Sequence, residues 1–104
     1  MKPIKSDAVR ALEAITGGPL TLGRMLAAIR EGEGETLDVF ARKLGMTRAK
    51  LCDVEKGRRG VSVERAARWA KVLGYSPVQF VQLALQEQVN AAGLRLRVNV
   101  SKAA

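Results

Sequence analysis

The 104-residue chain has no histidine and a single cysteine, Cys52. Without histidine it lacks the commonest general base and the commonest metal ligand. One cysteine allows no internal disulfide, and one thiol among scattered carboxylates makes no metal-binding set. There is no glycine-rich phosphate loop. Neither an enzyme nor a bound metal or cofactor is therefore expected. No apolar run approaches the roughly 20 residues of a membrane span. The opening MKPIKSDAVR lacks the apolar stretch of a secretory signal, so the expected location is the cytoplasm. Aromatics are only 4% of the chain, which predicts an aliphatic core. The many alanines favour packed helices over a β-sandwich.

Acidic residues are also scarce. Ten Asp and Glu face 18 Lys and Arg, giving a net charge of +8. The excess is concentrated. Arg42, Lys43, Arg48, Lys50, Lys56, Arg58 and Arg59 are opposed over residues 42–59 only by Asp53 and Glu55, so this stretch holds +5 of the +8. A basic corner of this kind suits a polyanion, and nucleic acid first of all. Glu31, Glu33, Glu35 and Asp38 form the opposite cluster. Such a cluster is expected to face away from phosphates, as an ordinary solvated loop.

The length suits one domain with short appendages. Ser6 can cap a first helical segment carrying Val9, Leu12 and Ile15, which Gly17-Gly18-Pro19 ends. Residues 1–19 are thus expected to be an N-terminal helical appendage that packs on the domain or frays. Thr21 can cap a second helix, with Leu22, Met25, Leu26 and Ile29 on one face. Thr36 suits an N-cap for Leu37 to Leu44, with Phe40, Ala41 and Leu44 inward. Gly45 then stops that helix, and Met46 plugs the turn. Thr47 caps a short helix to about Lys56. Leu51 and Val54 share its inner side, while Ala49, Cys52, Asp53 and Lys56 point the other way. Ser62 opens a helix lined by Val63, Ala66, Ala67, Trp69, Ala70 and Leu73, in which Trp69 is expected to be core. Ser76-Pro77 opens the last helix in N-cap and N1 order. Val78, Phe80, Val81, Leu83, Ala84, Leu85 and Val89 spread around a broad apolar arc of that helix, which suggests burial against a partner too. After Gly93, the run Leu94-Arg95-Leu96-Arg97-Val98-Asn99-Val100 alternates apolar and polar. That pattern predicts a β-strand, and with no second strand candidate it is expected to pair with its copy in a twofold dimer.

Two short helices about a glycine turn, with basic residues on the second, resemble the Cro/CI-type (Xre) helix-turn-helix family over about residues 20–75. Arg30, Ala41, Gly45, Leu51, Val54, Glu55 and Gly57 carry the likeness. It implies an all-α, five-helix lambda-repressor-like DNA-binding domain, here with an extra N-terminal helix and, over residues 76–104, a dimerisation helix and a C-terminal strand that pairs in the dimer. In this resemblance Arg30 and Glu55 are a structural ion pair, and residues 47–56 are the helix that enters the major groove. The base-reading positions fall on Arg48, Ala49 and Asp53, with Lys50 between base edge and phosphate. Arg48 suits guanine O6 and N7, Ala49 a thymine methyl, and Asp53 cytosine N4. Thr36 and Thr47, at helix N-termini, would meet phosphates. Arg42, Lys56, Arg58 and Arg59 would add contacts that carry no sequence information. The family commonly has Gln where this chain has Leu37, so that phosphate contact is lost or comes from Arg42 or Lys43. Cys52, with no resolving partner, is a tolerated small residue.

The implied function is a homodimeric, sequence-specific transcriptional repressor acting on double-stranded DNA. Phe80, Val81, Leu85, Leu94, Leu96, Val98 and Val100 are expected to form the dimer interface. Two alternatives stay open. One is an antitoxin that binds a toxin protein and represses its own operon. The other places DNA contacts on a ribbon bearing Arg95, Arg97 and Asn99.

Overall fold

The computed structural model describes residues 20–103. The helix expected within residues 1–19 lies outside them. Five helices follow in order: α1 (Leu22–Gly32), α2 (Leu37–Leu44), α3 (Arg48–Glu55), α4 (Val63–Leu73) and α5 (Pro77–Ala91). Each begins at a hydroxyl residue that accepts an otherwise orphaned backbone N–H. Thr21 takes Arg24 N–H (3.1 Å), Thr36 takes Val39 N–H (3.2 Å) and Thr47 takes Lys50 N–H (3.2 Å). Ser62 takes Arg65 N–H (3.2 Å), and Ser76 takes Val78 N–H (3.3 Å) beside Pro77.

The turn between α2 and α3 is set by Gly45, whose φ is 72°. That left-handed geometry carries no Cβ penalty in glycine. It lets Gly45 N–H reach Arg42 O (3.2 Å) and Met46 N–H reach Ala41 O (3.0 Å), which satisfies the last carbonyls of α2. Three residues after Gly45 the chain is helical again, in a new direction.

The core is built from Leu22, Leu26, Phe40, Leu51 and Phe80, all fully buried, with Met25, Val54 and Trp69 beside them. Ala41, Ala66, Ala70 and Ala84 are the small positions that let the helices approach. The aliphatic core expected from the composition also takes in aromatic rings, Phe80 among them. Aromatics are few, but Phe40, Trp69 and Phe80 all sit at its centre, because one large ring fills the space between short helices that several alanines leave open. Phe80 also stacks on Tyr75, with ring centroids 6.0 Å apart.

α1 and α3 cross unusually closely at Gly23. A Cβ there would lie 2.0 Å from Val54 O and 3.0 Å from Val54 C. Only glycine allows this crossing. The backbone of α1 therefore rests directly on the C-terminal end of α3 and fixes its depth.

The expected C-terminal strand is not formed: among the described residues there is no β-strand. The tail after Gly93 is extended, but glutamine side chains of α5 take the place of a ladder. Gln86 Nε2 donates to Leu96 O (2.8 Å), and Val98 N–H donates to Gln86 Oε1 (2.7 Å). Val100 N–H donates to Gln82 Oε1 (3.0 Å). Gln82 and Gln86 lie four residues apart, on one face of α5, and so meet alternate residues of the tail. A ladder needs a second backbone, and among the described residues none pairs with the tail.

Candidate DNA-binding surface

The inner side of α3 is closed by Leu51 and Val54, both buried in the core. Its C-terminal end is held by Arg30. Arg30 Nε donates to Glu55 Oε2 (2.9 Å), and its Nη2 donates to Glu55 Oε1 (3.1 Å). Arg30 Nη1 donates to the carbonyl of Glu35 (3.2 Å), so one guanidinium ties α1, the following loop and α3 together. The two side chains are 16% and 10% exposed. Glu55 holds the Arg30 pKa above its ordinary value, against the opposing effect of burial. This fork geometry suits arginine and not lysine.

The outer side of α3 is open. Arg48, Ala49 and Lys50 in its first turn are exposed, Cys52 and Asp53 are half-exposed, and Lys56 is exposed just beyond the last turn. Among the described residues the Arg48 and Lys50 side chains have no acidic partner. Asp53 does have a partner: its carboxylate lies 3.6 Å from Arg58 Nη1, and its carbonyl accepts Arg58 N–H (2.8 Å). A base-reading role for Asp53 therefore competes with Arg58. Thr36 and Thr47 use an oxygen lone pair for capping, and their hydroxyl protons stay available to donate. Arg42 and Arg59 are exposed and carry no ion pair among the described residues.

Lys43 belongs elsewhere. Its ammonium group pairs with Glu35 and lies 3.8 Å from Glu33, and both carboxylates raise its pKa. It is thus turned to the acidic loop, whereas Arg42 carries no ion pair among the described residues. The acidic loop, without a base in its own sequence, draws one from α2 and another from α1, where Arg30 Nη2 lies 3.8 Å from Glu31.

The residues expected at a dimer interface divide. Phe80 is fully buried within its own chain, so no second copy can reach it. Val81, Leu85, Val98 and Val100 are half-buried, and Leu94 and Leu96 are 51% and 60% exposed.

Three features were missed in the sequence. Gly23 inside a helical pattern was a signal of close backbone approach. Arg65 and Arg68 have helical spacing on α4 and join the basic surface. Gln82 and Gln86 have i,i+4 spacing, but nothing in that spacing says what they bind.

A short helix sealed inward, basic outward, and set behind a glycine turn and a companion helix is a DNA-binding module of the helix-turn-helix class. A family model described as a helix-turn-helix domain matches residues 21–83, more than half of the chain. The chain belongs to that family, whose members are typically non-enzymatic DNA-binding regulators. It matches no curated protein and no solved structure. Among the described residues no helix is long and apolar enough to cross a membrane.

Proposed function

We propose that the chain is a cytoplasmic, homodimeric, sequence-specific transcriptional repressor that inserts residues 47–56 into the major groove. The observation that carries this is the two-sidedness of α3. Its inner face is immobilised by Leu51, Val54 and the Arg30–Glu55 fork, while Arg48, Ala49 and Lys50 project with nothing to bind. Arg48 is the base reader, Ala49 the apolar contact, and Lys50 bridges base edge and backbone. Thr36, Arg42, Thr47, Lys56 and Arg59 meet phosphates. Arg58 does so as well on releasing Asp53. Two copies related by a twofold axis read half-sites about one helical turn apart. Leu94 and Leu96, with Val81 and Leu85, supply the apolar surface between the copies.

The test is binding to the chain's own upstream DNA beside a scrambled duplex, across a salt series. Preference for the native duplex, with affinity falling steeply as salt rises, is expected. Equal, weak binding to both would overturn it. The exposed Leu94 and Leu96 lie outside residues 21–83 and favour a second reading, in which the tail also holds a toxin protein. A stable partner copurifying through residues 94–104 is its expected sign. Retained copurification after deletion of those residues would remove it.

A further inference from the structure

Beside the recognition helix lies a notch in which, of the contacts already assigned, only Lys50 takes part. It is lined by Lys50 from α3, by Arg65, Arg68 and Trp69 from α4, and by Gly45 and Met46 of the α2–α3 turn. Arg65 and Arg68 are three residues apart and so share one face of α4. All three cations are exposed, and none has an ion pair among the described residues. The nearby acids offer no relief: Asp53 faces Arg58, and Glu64 on α4 makes no ion pair among the described residues. Three like charges around one concavity repel each other until an anion enters.

We propose that this notch seats a phosphodiester of the same duplex that α3 reads, on the strand flanking the groove. Lys50 belongs to both surfaces, which makes the notch continuous with the reading face. Ser62 fixes the first turn of α4 by capping Arg65 N–H, and the left-handed Gly45 fixes the α2–α3 turn that lines the notch with it. The rim is too open and polar to enclose a small apolar ligand. It suits a polyanion held by several exposed charges. The proposal rests on the DNA-binding function and adds a second helix to the footprint, with α4 positioning the duplex and α3 reading it.

The experiment compares the intact chain with Arg65→Ala, Arg68→Ala and the double variant, on native and scrambled duplexes, with log affinity plotted against log salt. The salt slope is expected to fall by about 0.9 for each arginine that meets a phosphate, with similar losses on both duplexes. An R65K/R68K variant, which keeps the charge, is expected to restore the slope. An unchanged slope in the double variant, while the intact chain keeps its own, overturns the notch alone. So does a loss confined to the native duplex, which would mark base reading. Absence of salt-dependent binding by the intact chain overturns the notch and the DNA-binding function together. Thermal melting checks the fold of each variant.

Discussion

The two ends of the structure are held by different means. The corner formed by α1, α2 and α3 is locked by a backbone crossing at Gly23, a two-bond Arg30–Glu55 fork and a core of fully buried side chains. The tail after Gly93 is tied to α5 by three hydrogen bonds with the side chains of Gln82 and Gln86 and by one from Leu94 N–H to Val89 O, with Leu94 and Leu96 exposed. A reader of base edges must hold its side chains at a set depth and angle, and only rigid packing does that. A surface meant for another chain can stay loosely attached until the partner arrives.

The largest way to break this contrast is at Gly23. Alanine there gains about 1 kcal/mol of helix propensity. The added methyl group meets main-chain atoms of Val54 and Glu55 that cannot yield as a flexible side chain can, so its cost lies well above the roughly 1–3 kcal/mol usual for overpacking and outweighs that gain. Gly23→Ala is therefore expected to lower the denaturation midpoint markedly and to weaken DNA binding. A stabilised variant would show that α1 does not set the depth of α3.

The next effect is at the fork. Arg30→Met strands Glu55 in a half-buried place and is expected to cost about 3 kcal/mol. Adding Glu55→Leu should recover much of that, because no unpaired charge remains. If the double variant were as unstable as the sum of the singles, the fork would not act as a coupled pair.

The tail should respond weakly and locally. Gln82→Ala with Gln86→Ala removes its three side-chain hydrogen bonds and is expected to change global stability by about 1 kcal/mol or less. The amides of Val98 and Val100 should exchange faster with solvent, while those of α3 stay protected. Acceleration in α3 would mean that the two ends are not independent.

Glu87 gives the smallest effect. Burial on α5 raises its pKa, partly offset by a backbone hydrogen bond from Leu22 at the start of α1. A carboxyl whose folded pKa is raised contributes stability that is fully present below its unfolded value. That contribution is lost as the pH rises through the folded value. Glu87→Gln should therefore match the parent chain in acid and exceed it slightly at neutral pH, as read by melting temperature across the pH series. A parent chain more stable than the variant at neutral pH would reverse the assignment.

Much of this architecture is legible in the residues. Each helix start is written as a hydroxyl cap, and Gly45 and Gly74 mark stops, because capping is local chemistry. The pairing of Arg30 with Glu55, 25 positions apart, came from family resemblance and not from spacing. What could not be read depends on which surfaces meet. Lys43 looked like part of the basic corner until the fold brought Glu33 and Glu35 beside it. Phe80 looked like an interface residue because α5 is apolar over a broad arc, and only packing shows which side of that arc faces inward. The tail alternates as a strand does, but alternation cannot say whether a backbone or two glutamines will meet it.

The central claim is that α3 is a rigid reader whose specificity begins at Arg48. It is tested most directly by measuring Arg48→Ala against the native and scrambled duplexes at one salt concentration. A loss of about 1–3 kcal/mol on the native duplex, with little change on the scrambled one, is the expected result. Equal weakening on both would contradict it and reduce Arg48 to one more charge on a basic surface.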